Sequence, residues 1–319
     1  MARQLLMFFL TGRMADWERW NTHFSTVVEQ EVLGYPFRLS QDPNSENLGT
    51  TVWDASIVLA KYLEKNSLKG EFSKKRVWSK RAIELGSGMG LGGMAFMLLG
   101  CKEVVLTDLK EVLPLLRKNV ERNMSPTALM GSPFENGVGR ISVAELDWTN
   151  REQCSSLEVP FDYVLAADCV YHENHLHDFL ATILAITDNK STVLVVNELR
   201  SESVQDEFMS AFGEHFTIRK VSHSQMHPTY QHPSVDILIL KRKWVSSGQR
   251  KAVQGATAST DESNAQSKEL SSEESANDDQ PLLPEQKSKP QTDDREDKEW
   301  ENRRLGTAAA QMMKDVKIP

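Results

Sequence analysis

Cysteine is scarce in this chain. Only Cys101, Cys154 and Cys169 occur among 319 residues, an odd number without paired spacing. That excludes a disulfide framework and points to a reducing compartment, the cytoplasm, with the nucleus as a second location. Long apolar runs are missing as well. Leu5 to Leu10 is apolar, but it is soon followed by Arg13 and Asp16. It is too short to span a bilayer and a poor signal-peptide core, so no membrane partner is expected. Lipidation and retention signals are absent from both ends, and there is no internal repeat. Positive charge is not in excess: 37 Lys and Arg stand against 45 Asp and Glu, a net charge of −8. A general nucleic-acid-binding surface is therefore not expected. Metal-ligand spacing is lacking too. His172, His175 and His177 are three and two residues apart, which does not put all three on one helical face. They read as a solvated helix start, and no metal site is expected.

What remains is ordinary for a protein with a real core, 39% hydrophobic and 26% charged. The stretch that organises it is Arg81 to Gly93, R-A-I-E-L-G-S-G-M-G-L-G-G. Ala82, Ile83 and Leu85 end a buried strand, glycines take over, and Met94 to Leu99 reads as a helix. Strand, glycine turn and helix form a nucleotide-binding unit, because glycine takes φ > 0 and admits a ligand to the backbone. The helix N-terminus then points its N–H groups at that ligand. Gly88 to Gly93 satisfies G-x-G-x-x-G, which keeps a dinucleotide open. The frame Glu84-x-Gly86-x-Gly88-x-Gly90 fits better. A carboxylate there would repel a pyrophosphate and attract an amino group and a sulfonium, which points to S-adenosyl-L-methionine.

In chain order, residues 1–30 carry Trp17, Trp20, Phe24 and Val27 at helical spacing. An amphipathic helix is expected there, covering the core or, as a sharper alternative, contacting substrate. Residues 31–39 hold a short strand. From Asp54 to Leu63 a helix is expected, and Trp53 just before it lies beside a bound ligand or staples the helix to the sheet. Val104 to Asp108 is a strand ending in a carboxylate 22 residues past Gly86. An acidic residue about 20 positions beyond the glycine turn accepts ribose hydroxyls in doubly wound folds, although a helix N-cap is the plainer use. Leu109 to Asn123 is a helix with Pro114 near its start. A strand from Ile141 runs into Asp147 and Trp148, a pair suited to adenine, or else a rim tryptophan. Pro160 to Tyr171 is a strand and its exit. Ala166 and Ala167 leave room beside a ligand, and Asp168 and Tyr171 face the crevice. A helix from Glu173, a strand from Thr192 to Asn197 and a helix from Glu202 follow. Phe216–Val221 and Val235–Arg242 have only a loop between them, so they pair antiparallel. The expected fold is α/β: a mostly parallel seven-stranded sheet with a C-terminal antiparallel hairpin and helices on both faces. From Val245 onward Ser, Glu, Asp, Lys, Gln and Pro dominate, too polar to offset the ordering entropy. The expected division is an N-terminal extension over 1–38, a catalytic domain over 39–244 and a disordered polar tail over 245–319.

With these residues in hand the chain resembles the family-16 seven-β-strand protein-lysine methyltransferases, Rossmann-like class I enzymes. It is similar to the branch that acts on valosin-containing protein and Hsp70-type chaperones. The resemblance covers roughly Leu39 to Lys243 and rests on V-W-D-A-S-I-V-L-A-K-Y-L at Val52–Leu63, E-L-G-S-G-M-G-L at Glu84–Leu91, T-D at Thr107–Asp108, D-W at Asp147–Trp148 and A-D-C-V-Y at Ala167–Tyr171. It implies that Trp53, Gly86, Ser87, Gly88, Asp108, Trp148 and Ala167 line the cofactor, beside the Glu84 read above. It implies that Asp168 and Tyr171, the D-x-x-Y pair, place the substrate lysine. Met89, where the family usually has threonine, and the long tail depart from the pattern. The implied activity is methyl transfer from S-adenosyl-L-methionine to a lysine of a non-histone protein, such as an ATPase or chaperone, by a monomeric enzyme. The competing readings are a nicotinamide-dependent oxidoreductase, a non-catalytic binding module on the same fold, and a small-molecule or nucleic-acid methyltransferase. The acidic charge and the lack of an N/D-P-P-Y-like motif weigh against nucleic acid.

Overall fold

The computed structural model describes residues 25–136 and 138–243. Trp17, Trp20 and Phe24 of the expected N-terminal helix, and the whole of 245–319, lie outside the described residues. Val27 does not continue that helix. It opens strand β1 (Val27–Val32), which pairs antiparallel with β2 (Tyr35–Ser40) in a separate two-stranded sheet. Leu33 and Gly34 between them have φ of 56° and 75°. Two left-handed residues make the turn whose twist matches a hairpin. A hairpin therefore replaces the single strand read in 31–39, and the boundary expected after residue 38 falls inside β2.

A second sheet carries the rest. Its strands are β3 (Arg81–Leu85), β4 (Glu103–Asp108), β5 (Arg140–Glu145), β6 (Tyr163–Ala167), β7 (Thr192–Glu198), β8 (Phe216–Lys220) and β9 (Val235–Arg242). Their order is β5-β4-β3-β6-β7-β9-β8. The first five are parallel, and β9 is antiparallel to both β7 and β8, as the short connection required. The chain runs from β3 outward to β4 and β5, then returns to place β6 on the other flank of β3. That reversal opens a crevice at the carboxyl ends of β3, β4 and β6, where open α/β sheets hold ligands.

The α-helices among the described residues are α1 (Asp54–Lys65), α2 (Lys74–Val77), α3 (Leu91–Met97), α4 (Leu113–Met124), α5 (Pro126–Leu129), α6 (Arg151–Ser155), α7 (Glu173–Ile186) and α8 (Glu202–His215). One apolar cluster joins α1, α3, α4 and the β1–β2 hairpin to one face of the large sheet. A second joins α7 and α8 to the other, with Phe208 and Phe212 stacked at 4.2 Å. α3 lies so close to the sheet that a Cβ on Gly93 would come within 2.1 Å of Leu106. Glycine at 93 thus sets the depth at which the helix N-terminus meets the crevice.

The exposed edge of β2 is sealed by side chains. Asn119 and Asn123, one turn apart on α4, act as strand mimics. The Asn119 amide takes the Ser40 N–H at 2.7 Å and donates to the Ser40 carbonyl at 2.8 Å. Asn123 takes the Arg38 N–H at 2.8 Å and donates to the Arg38 carbonyl at 3.0 Å. Both amides are buried, so each satisfied pair removes an unpaired backbone group from the interior.

Candidate active site

The floor of the crevice is the glycine turn between β3 and α3. Gly86, Gly88 and Gly90 have φ of 57°, 52° and 86°, so each glycine of the E-x-G-x-G-x-G frame is left-handed. Any other residue would be strained there. The Gly88 N–H donates to Asp108 Oδ2 at 2.7 Å, and Asp108 Oδ1 takes the Leu109 N–H at 2.8 Å. The end of β4 is thereby fastened to the turn. Burial pushes the Asp108 carboxyl up to about 6, so it is ionised at neutral pH and acts as acceptor only. Each oxygen keeps lone pairs beyond the one backbone bond it makes. A third segment, before α1, closes over this floor: a Cβ on Gly88 would lie 3.1 Å from the Gly49 carbonyl.

Trp148, after β5, borders the turn. A Cβ on Gly86 would meet its ring at 3.4 Å and the Cys169 sulfur at 2.9 Å. The indole rests on Phe179, 4.8 Å between centroids. Cys169 is buried beside it, and burial pushes its thiol well up. Trp53 caps the start of α1 and donates its Nε1–H to the Leu48 carbonyl at 2.9 Å. Ala167 ends β6 and is buried between the two flanks.

Two expected ligand contacts take a different form. Glu84 is 1% exposed and does not open on the crevice. Its Oε2 turns under α3 and accepts the Gly93 N–H at 2.9 Å. Burial pushes this carboxyl up to about 8. The motif spacing was informative, but the carboxyl group serves the helix N-terminus from within the protein. Ser87 likewise spends its hydroxyl on the scaffold. It donates to the Glu84 carbonyl at 3.1 Å and accepts the Thr107 N–H at 3.0 Å.

On the opposite flank, Asp168 leaves β6 in a left-handed conformation, φ 63°. Its carboxylate is gripped by a residue the sequence reading passed over. Arg200 Nη1 and Nη2 donate to Asp168 Oδ1 and Oδ2 at 2.9 and 2.5 Å. Arg200 Nη2 also bonds Glu198 Oε2 at 2.9 Å, and its guanidinium lies 5.2 Å from the Trp53 ring centroid. The structure thus joins Asp168 to Trp53 through Arg200. Asn197 holds the middle of the same loop, accepting the Val170 N–H at 2.9 Å and donating to the Val170 carbonyl at 2.7 Å. Tyr171 stands at the rim, 41% exposed, with His175 at 6.4 Å. The signal for these missed residues was N-E-L-R closing an apolar strand, polar groups at a strand's carboxyl end.

The arrangement can bind a ribose diol at Asp108, admit a ligand to the backbone at Gly86 and Gly88, and present a carboxylate and a phenol to a second molecule. Among the described residues no group of three or more His, Cys, Asp or Glu is placed to hold a metal ion. Protein N-lysine methyltransferase METTL21A of Mus musculus is 33% identical over 188 residues, 59% of this chain and 77% of that protein. Its Xenopus tropicalis counterpart is 31% identical over 192 residues, 60% of this chain and 79% of that protein. Among solved structures, a T. thermophilus 16S rRNA N2 G1207 methyltransferase in complex with AdoMet and guanosine superimposes with a TM-score of 0.43 at 17% identity. That match covers 68% of this chain and 50% of the other. The lysine methyltransferase family profile matches residues 35–215, from β2 to the end of α8, and the chain belongs to that family.

Proposed function

We propose that this chain transfers the methyl group of S-adenosyl-L-methionine to the side-chain amine of a lysine in a non-histone protein, an ATPase or a chaperone. The observation that carries the reading is the Asp108–Gly88 junction. A carboxylate fastened to the glycine turn keeps lone pairs on both oxygens, and these would accept from a pair of vicinal hydroxyls. The cofactor fits the residues present. Positive φ at Gly86 and Gly88, and the absence of a Cβ against the Gly49 carbonyl, leave a cradle only glycine permits. Asp108 would hold the ribose, Trp148 and Trp53 would flank the ligand, and Ala167 would leave room beside it. When bound, S-adenosyl-L-methionine supplies an electrophilic methyl carbon on a sulfonium.

Little covalent chemistry is then asked of the protein. Its residues must align an amine with that carbon, and alignment alone lowers such a barrier by several kcal/mol. The amine must also be neutral, whereas an ordinary lysine with pKa near 10.4 is protonated at pH 7. Asp168 and Tyr171 would orient it by hydrogen bonding and pass its proton to solvent. Free, buried cysteines support a reducing compartment, cytoplasm or nucleus, and nothing in the proposed chemistry requires more than one copy.

The test is incubation of the full chain with methyl-labelled S-adenosyl-L-methionine and cell lysate, followed by mass spectrometry of the labelled band. Label on a lysine of one protein or a small group of proteins is expected. Label on nucleic acid or on another side chain would overturn the substrate assignment. S-adenosylhomocysteine binding without any labelling would favour the non-catalytic binding module.

A further inference from the structure

The segment at the end of β7, Asn197-Glu198-Leu199-Arg200, meets the expected cofactor lining only where Arg200 lies over Trp53, and it holds the D-C-V-Y loop at Asp168 and Val170. Asn197 pairs with both backbone groups of Val170. The Glu198 N–H donates to Asp168 Oδ1 at 3.2 Å. The planar fork of Arg200 then meets Asp168 edge to edge and reaches Glu198 with the same nitrogen. The three side chains are 15%, 5% and 15% exposed for Arg200, Asp168 and Glu198. Arg200 Nε is buried without a hydrogen-bond partner among the described residues. So the clamp is made by the two terminal nitrogens alone.

Two physical consequences follow. First, Asp168 accepts three hydrogen bonds while in a left-handed conformation that few side chains other than Asn and Asp tolerate. Those bonds hold the backbone where Tyr171, three residues on, reaches the rim. Second, burial works against the guanidinium's charge, but Asp168 and then Glu198 outweigh it and keep the proton on. Two carboxylates and one guanidinium leave one net negative charge beside the cofactor crevice.

We propose that Arg200 is a positioning residue of the substrate-lysine site, fixing Asp168 and Tyr171 and leaving with Glu198 one net negative charge to receive the incoming ammonium. The proposal rests on the methyltransferase reading above. A lysine at position 200 would keep the charge but lose the fork, since an ammonium is a point donor and cannot meet both carboxylate oxygens in plane. The substrate cation is drawn to the trio, while the carboxylate nearest the reaction is already oriented.

The experiment uses the full chain and, as substrate, the purified protein that the wild type labels in lysate. Arg200→Lys should bind S-adenosylhomocysteine within about threefold of wild type and lose about 30-fold or more in kcat/KM, mainly in kcat. Glu198→Gln keeps an acceptor for Arg200 but neutralises the trio. It should raise KM about tenfold with kcat unchanged, and added salt should shrink the difference. Wild-type kcat and KM in Arg200→Lys would overturn the proposal, as would equal losses of cofactor affinity and turnover, which mark a purely structural role. An unchanged KM in Glu198→Gln would overturn the charge assignment. A wild-type chain that labels no lysine protein removes the parent reading, and this proposal with it. A wild type that labels while Arg200→Lys labels equally well removes only this one.

Discussion

The crevice has two flanks built on different principles. On the β3–β4 flank the contacts span about 20 positions and each has a backbone group on one side. Asp108 grips the Gly88 N–H, Ser87 and Thr107 exchange bonds between neighbouring strands, and three successive left-handed glycines shape the turn. On the β6–β7 flank polar side chains at one strand end hold the loop that leaves the other, through one side-chain ion pair and through bonds to backbone, across about 30 positions. Asp168 is held by Arg200, and Val170 by Asn197. A cofactor that every member of such a family shares can be met by fixed backbone geometry. A substrate that differs from one enzyme to the next calls for replaceable side chains, so the second flank is where specificity can be retuned without remaking the turn.

The largest expected effect tests the first flank. Asp108→Ala should weaken S-adenosylhomocysteine binding at least about 100-fold, the equivalent of about 3 kcal/mol, because the ribose loses its acceptor and the Gly88 N–H is left unpaired. Calorimetry within threefold of wild type would erase the contrast between the flanks. Asn197→Ala should do the reverse. It should cost about 2 kcal/mol of stability in urea unfolding, because both backbone groups of buried Val170 lose their partner, and depress methyl transfer. Cofactor affinity should not move, and a parallel loss there would show that the flanks are not separable. Trp148→Ala should weaken cofactor binding about tenfold, roughly 1.4 kcal/mol, through the lost aromatic face.

The remaining expectation is a pH dependence of stability. Glu84 and Asp108 hold protons in the folded state up to about 8 and about 6, against ordinary values of 4.5 and 3.8. The folded protein therefore binds more protons than the unfolded chain between those limits. These two groups make stability fall as pH rises from about 4 to about 8, by at most about 1.4 kcal/mol per pH unit for each proton. Glu84→Gln keeps an acceptor for the Gly93 N–H and should flatten the part of the curve between pH 6 and 8. Urea midpoints at the two pH values report it, and a slope equal to wild type would place the Glu84 proton elsewhere.

Much of this was legible because it is written in local periodicity. The strand–turn–helix at Arg81–Gly93, the carboxylate at Asp108 and the antiparallel pair at the C-terminal edge need only spacing and loop length to be read. The hairpin at β1 and β2 was not legible as a pair of strands. Its turn depends on Leu33, a residue that rarely takes positive φ, and its edge is completed by Asn119 and Asn123 some 80 residues away. The Glu84 assignment failed in direction only. Sequence placed the carboxylate at the turn, but which way a side chain leaves a buried strand end is decided by what packs against it.

The sequence by itself determined the succession of the seven large-sheet strands along the chain, the left-handed glycine turn and the acidic end of the second parallel strand. Each follows from what a residue can do with its own backbone and near neighbours. Only the tertiary structure decided that Arg200 clamps Asp168 against Trp53, that Asn197 carries the D-C-V-Y loop and that Glu84 faces inward. The first two join strand ends about 30 residues apart and form only once the sheet has brought β6 and β7 side by side, and the last is set by the packing of α3 over the end of β3.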